Sequence, residues 1–98
     1  MFALPSKAVR RRRALCTAAA IDRLVDDRVA GVRGLPEADR RRHAEHLAEL
    51  VALAQAYRHF GKGWIGKREL DRRSAAATRR LTALRLAVPS AAHLTDGD

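Results

Sequence analysis

Several groups of side chains in this sequence have the types and spacing that binding or catalysis would need. The most ordered is a set of arginines. If the segment after Gly66 is a helix with Leu70 at 0°, then Arg68, Arg72 and Arg79 fall at about 160°, 200° and 180°. They form a stripe about 16 Å long opposite the apolar side. Arg73 and Arg80 widen it on one flank, Ala75 and Ala76 lie between, and only Glu69 and Asp71 relieve the charge. A guanidinium is a planar fork of donors suited to phosphate and carboxylate oxygens. A nucleic-acid duplex offers roughly one negative charge per 1.7 Å of axis for such a stripe to follow. Arg10, Arg11, Arg12 and Arg13, and Arg40 to Arg42, add phosphate contacts if the fold brings them to the same side. The plain alternative is a solvated face laced with short-range pairs such as Arg68 with Asp71.

Asp39, His43 and His46 stand at i, i+4 and i+7, a spacing that can turn a carboxylate and two imidazoles towards one metal ion. No fourth ligand is evident and the usual zinc spacings are missing, so these three are weak candidates and no metal or other cofactor is expected. The competing description is a polar end to the core, with Asp39 or a histidine meeting Arg28. Cys16 lies away from the apolar face with no histidine near it in sequence. Ser6, Ser74 and Ser90 occupy cap, seam and tail positions. No base, nucleophile and oxyanion donors assemble, so an enzyme is not expected.

Gly61-x-Gly63-x-x-Gly66 matches the dinucleotide-binding fingerprint by letter. That fingerprint works because a strand delivers its glycines to a pyrophosphate at the next helix start. Here a helix precedes it, and a glycine-permitted turn between helices is the expectation. Within it, Gly63-Trp64-Ile65-Gly66-Lys67-Arg68-Glu69-Leu70 resembles the helix–turn–helix of short C-terminal (SHOCT) domains over eight of the 98 residues. Gly66 stands where that family has a capping Thr, and the family's run of acids is absent. The resemblance implies the turn geometry, with Trp64 and Ile65 folded back onto the helices, and carries no activity.

Aromatic residues are few: Phe2, Tyr57, Phe60 and Trp64. Tyr57-Arg58-His59-Phe60 with Lys62 and Trp64 is the one stretch that interleaves them with cations as single-strand binders do. Core duty is the expectation, with Tyr57 facing inward and Phe60 and Trp64 closing the end of the molecule.

Three helices position these groups. Pro5-Ser6 starts the first, with Ser6 as N-cap, and no Gly or Pro interrupts it before Gly31. Ala14, Thr17, Ala18, Ile21, Leu24, Val25, Val29 and Val32 share one broad face, and Arg28 falls inside it. An arginine there is expected to meet an acid from a neighbouring helix. Pro36 opens the second helix, with Glu37 and Asp39 in its first turn. Leu47, Leu50, Val51, Leu53, Ala54 and Tyr57 form its apolar arc, and Gly61 is its expected C-terminal stop. In the third, Leu70, Ser74, Ala77, Leu81, Leu84 and Val88 repeat at 4-3-4-3-4 spacing, a coiled-coil-like seam that Pro89 ends. The pattern predicts a single all-α domain over 1–98, with helices near 6–31, 36–60 and 67–88 and a loose tail at 89–98. An up-down-up three-helix bundle is the expected architecture, ahead of a long helical hairpin that docks on a partner.

Bulk composition sets the limits. Of 46 hydrophobic residues 20 are alanine, and Leu, Ile, Val and Phe together number 22, so the core must be thin. A second copy or a larger assembly is therefore a partner to expect. The net charge of +9 comes from 20 basic residues, 17 of them arginine, against 11 acids. Such a chain attracts polyanions, although an Ala- and Arg-rich coding bias would raise the charge in the same way. One cysteine excludes an internal disulfide and suits a cytoplasmic setting. No apolar run approaches the roughly 20 residues of a membrane span. The first 21 residues contain no acid, as in transit peptides, but an uninterrupted helix accounts for them better.

The leading expectation is a small basic accessory protein that binds nucleic acid, or works in a nucleoprotein assembly, through arginine–phosphate contacts. No recognition helix with Asn or Gln beside Arg implies base readout. The alternative is a helical adaptor or inhibitor that docks onto an acidic protein surface, with Leu86 as an outward anchor.

Overall fold

The computed structural model describes residues 5–87, apart from the side chains of Leu86 and Ala87. Phe2, Val88, Pro89, the segment 90–98 and the proposed Leu86 anchor lie outside what it describes. Three helices follow in order: α1, Lys7–Val32; α2, Glu37–Gly61; and α3, Lys67–Ala87. The bounds of α1 and α2 and the start of α3 agree with the periodicity to within a residue, the expected end of α3 at 88 lying outside the described residues, and the three form an all-α three-helix bundle.

Local chemistry explains most of the ends. The Ser6 hydroxyl accepts the Val9 amide at 3.1 Å, satisfying one of the orphan donors of the first turn. Pro36 immediately precedes α2, its carbonyl accepts Arg40 N–H at 2.9 Å, and Glu37 and Asp39 stand at the positive end of the helix dipole. The stop of α2 differs from expectation. Gly61 is still helical, whereas Gly63 takes the left-handed conformation at φ +79°. Gly63 N–H then reaches Phe60 O at 2.9 Å and Trp64 N–H reaches His59 O at 2.8 Å, the paired bonds of a Schellman stop.

Gly61 has a different task. A Cβ there would lie 2.5 Å from Leu15 Cγ and 3.0 Å from the Arg11 carbonyl, so the missing side chain lets α1 close onto α2. This contact, together with the Asp22–Arg58 ion pair, runs α1 and α2 antiparallel. Arg80 with Glu49 at 2.7 Å, and Arg73 with His59 at 3.3 Å, do the same for α2 and α3. The up-down-up order follows.

α2 is the middle helix. It packs on both neighbours, while no Cα of α1 comes within 8 Å of any in α3. The residues it turns to α1 (Arg58, Gly61) and those it turns to α3 (Glu49, His59) lie on faces roughly 150° apart on a helical wheel. Buried positions are Ala14 and Ala18 of α1, Leu50, Ala54, Ala56 and Phe60 of α2, and Leu70 and Ala77 of α3. Five of these eight are alanine, so helix axes approach closely in place of interdigitating large side chains. At the α2–α3 turn, Phe60 joins Ala14, Ala56 and Leu70 in one cluster, with Tyr57 and Ile65 packed against it. Ala56 and Phe60 extend the apolar arc of α2 past Leu53, at about 60° and 20° from it on a helical wheel, beyond the residues read from the sequence.

Thin packing leaves apolar surface in water: Leu24 and Val29 of the predicted α1 face are 41% and 47% exposed. Arg28 corrects another expectation. Arg28 is exposed, on a groove shared with residues of α3, and meets no acid among the described residues. Among the described residues no helix is long and apolar enough to cross a membrane.

Two glycine substitutions separate close approach from plain helix propensity. Gly61→Ala should destabilise the protein by about 1–3 kcal/mol through overpacking against Leu15 and the Arg11 carbonyl. That is a fall in Tm of several degrees for a domain of this size. Gly31→Ala, in the last turn of α1 with no atom near its would-be Cβ, should raise stability by about 0.5 kcal/mol. Thermal unfolding followed by circular dichroism checks both signs.

Candidate functional site

The arginines of α3 are exposed, and α2 supplies a surface beside them that the wheel alone does not show. Arg72, Arg73, Arg79 and Arg80 rim a hollow of about 430 Å³ whose floor is Ala52, Gln55 and Ala56 of α2 with Ala76 of α3. The alanines matter because they leave the backbone low between the helices, so the four guanidinium groups stand above it. Arg68 lies outside this lining, one helical turn before Arg72, and is exposed.

The four arginines are not equally free. Glu69 is held by two of them: Arg72 donates from Nε at 2.9 Å and Nη2 at 2.6 Å, and Arg73 donates from Nε at 2.7 Å. These hydrogen bonds hold the Glu69 carboxyl well below its usual 4.5, at about 2, and raise Arg72 further above its already high value. Arg80 gives its Nε to Glu49 across the helix interface. Arg68 and Arg79 make no ion pair among the described residues. The expected Arg68–Asp71 pair is not formed, because Lys67 takes Asp71 at 3.1 Å. Four arginines against Glu69 and Glu49 still leave the hollow net cationic, and exposed pairs of this kind are weakened by solvent screening.

The Arg10–Arg13 run does not join as a block. Its residues project around α1, and only Arg11 is half-buried, with its guanidinium laid over the α2–α3 turn. A Cβ at position 63 would sit 3.3 Å from Arg11 Nη1, and Arg11 Nε is buried with no hydrogen-bond partner among the described residues. Arg40 is exposed, while Arg41 and Arg42 pair with Glu37 and Asp39 in their own first turn.

The aromatic residues divide. Phe60 is buried and Tyr57 half-buried, as core duty requires. Trp64 does not close the end of the molecule: it is 66% exposed. Ile65 alone folds back onto the core, as the SHOCT-like turn implied for both. The Schellman stop places Trp64 beside His59, ring centroids 5.2 Å apart, and Lys62 Nζ lies 4.8 Å from the Trp64 ring. Only the left-handed glycine at 63, which turns the next residue outward, could have flagged this in the sequence.

Asp39, His43 and His46 do not assemble. Asp39 is engaged by Arg42, and no three His, Cys, Asp or Glu side chains among the described residues are grouped to hold a metal ion. His46 instead lines a groove of about 630 Å³ between α1 and α3, with Arg28, Thr78, Leu81, Thr82 and Arg85. Partial burial, then the charges of Arg28 and His43, push its pKa below the ordinary 6.5. Cys16 is exposed and unpaired. The glycine fingerprint sits in a turn between helices, with no strand among the described residues.

No protein family, curated protein or solved structure matches the chain.

Two titrations follow from these environments. The stabilisation that Glu69 draws from Arg72 and Arg73 is complete above its ordinary value of 4.5 and is lost as pH falls towards about 2. A carboxyl-detected NMR titration should therefore give Glu69 a midpoint near 2, and Glu69→Gln should remove that part of the acid sensitivity. His46 has the opposite charge type and the same direction. Its neutral form is favoured in the fold, so its contribution is full above 6.5 and declines as pH falls through the lowered value. Arg28→Ala should move the His46 midpoint upward in a proton NMR titration.

Proposed function

We propose that this protein is a small basic accessory protein that binds nucleic acid through arginine–phosphate contacts made by α3. The reading rests on the convergence of Arg72, Arg73, Arg79 and Arg80 around one alanine-floored hollow in a chain of net charge +9. A shallow site with cations on its rim and little apolar depth suits a charged, flat-sided polymer better than a small apolar ligand, which needs enclosure. Glu69 and Glu49 act in this reading as internal stand-ins for phosphate. They hold three of the guanidinium groups in place and can be exchanged for ligand oxygens of the same charge type. Arg68 and Arg79 extend the contact along the helix.

Binding of this kind is insensitive to sequence, because phosphates position a protein while base edges specify it. A role inside a nucleoprotein assembly, where other components supply specificity, fits that expectation. The exposed, unpaired Cys16 suits work in a reducing compartment such as the cytoplasm. A helical adaptor for an acidic protein remains the second reading, supported by the exposed Leu24 and Val29 on α1.

Fluorescence anisotropy with labelled nucleic acid across a salt series tests the first reading. Log affinity should fall linearly with log salt concentration as counterions are released. The Arg68→Gln, Arg72→Gln, Arg79→Gln triple variant, whose changes lie on the exposed side of α3, should give a slope shallower by about 2 to 3. Equal slopes for the two proteins would reject α3 as the contact face. A salt-resistant complex with an acidic protein, formed without nucleic acid, would favour the adaptor.

A further inference from the structure

The α2–α3 turn carries an exposed tryptophan that the core does not use. In a chain with so few large apolar residues, leaving the only tryptophan 66% exposed is a cost in burial, roughly the worth of a large core side chain. Trp64 is nevertheless held in place. Gly63 fixes the backbone before it at φ +79°, its own N–H is bonded to His59 O at 2.8 Å, and its ring rests beside the His59 imidazole at 5.2 Å. Here an imidazole and an indole take the positions of the apolar contact that often accompanies such a helix stop. The indole is a rigid aromatic surface standing in water.

One cation lies at the ring and two more reach its immediate neighbours, from three different elements. Lys62 Nζ lies 4.8 Å from the ring. The Arg11 guanidinium from α1 covers the neighbouring Gly63. Arg73 Nη1 reaches His59 Nδ1 at 3.3 Å, and Arg73 is also on the rim of the α3 hollow. His59 therefore connects the aromatic surface to the arginine face through a single side chain. The juxtaposition is that of proteins that hold unpaired strands: a basic track for the backbone, with an aromatic plane beside it on which a base can stack. A duplex has no use for such a plane, since its bases are already stacked inside the helix.

We infer that Trp64 is a stacking platform for an unpaired base, and that the nucleic acid bound along the α3 arginines is single-stranded. The strand's phosphates contact Arg72, Arg73, Arg79 and Arg80, and the backbone turns at His59. One base then lies on the indole, with Lys62 and Arg11 beside the next phosphate. This inference rests on the arginine–phosphate reading and specifies its substrate.

The test uses the chain's sole tryptophan as its own reporter. Unlabelled oligothymidylate of about twelve nucleotides, long enough to cover one small basic surface, is titrated while Trp64 emission is recorded. Anisotropy with labelled single strand and labelled duplex of the same length runs in parallel. The single strand should quench Trp64 and bind more tightly than the duplex. Trp64→Ala should weaken single-strand binding by about ten- to a hundredfold, leave duplex binding and the salt slope unchanged, and keep the helical circular dichroism. Trp64→Phe, which retains an aromatic plane, should recover most of the loss.

Single-strand binding without quenching, an unaffected Trp64→Ala variant, or an equal loss on both probes would overturn the stacking assignment. If the duplex then still bound with a slope that the α3 arginines set, the arginine–phosphate reading would stand. No binding of either probe at low salt would reject both.

Discussion

The structure depends on one constraint: α2 has to be buried on two sides at once with very few large side chains. Alanine at 14, 18, 54, 56 and 77 solves this by bringing helix axes close, and glycine at 61 extends the same solution to the end of α1. Close packing of small residues seats α1 and α3 at the two sides of one broad buried arc of α2, without bringing any Cα of α1 within 8 Å of one in α3. The core that results is concentrated around Phe60, where the turn lets α1, α2 and α3 contribute to one cluster. Elsewhere the helices meet as two adjacent pairs.

This openness has electrostatic consequences. A closed bundle would have covered Arg28 and required an acid for it; here the side chain stays in water beside His46. On the other flank, the shallow alanine seam between α2 and α3 becomes the floor of the arginine-rimmed hollow. The same small side chains that permit close helix contact therefore also expose the guanidinium groups. Glu69 and Glu49 reduce the repulsion among them without cancelling it, and Glu69 does so with its carboxyl held near 2, far from any physiological protonation.

The turn after α2 shows how a backbone detail alters a surface. Three glycines within six residues made a turn legible, yet did not say which of them adopts the left-handed conformation. With Gly63 in that role, Trp64 leaves the helix end pointing outward and Ile65 turns in. Had Gly61 been the stop, the order of exposed and buried residues would have shifted with it. Gly61 stays inside the helix, where a Cβ would press on the Leu15 side chain and the Arg11 carbonyl.

What the amino-acid sequence determined by itself was local. The three helix spans, the Ser6 cap, the Pro36 start, the apolar seam of α3 and the angular position of its arginines all depend on neighbours within about four residues, through backbone hydrogen bonds and the helical period. Tertiary structure alone decided which residues from different helices share a site. That Arg11 lies over Gly63, that Arg73 reaches His59, that Arg80 meets Glu49, and that Arg28 meets no acid among the described residues are all set by how closely and on which faces the helices pack. Those faces follow from summed contacts between small side chains many residues apart, and no single spacing in the chain encodes such a sum.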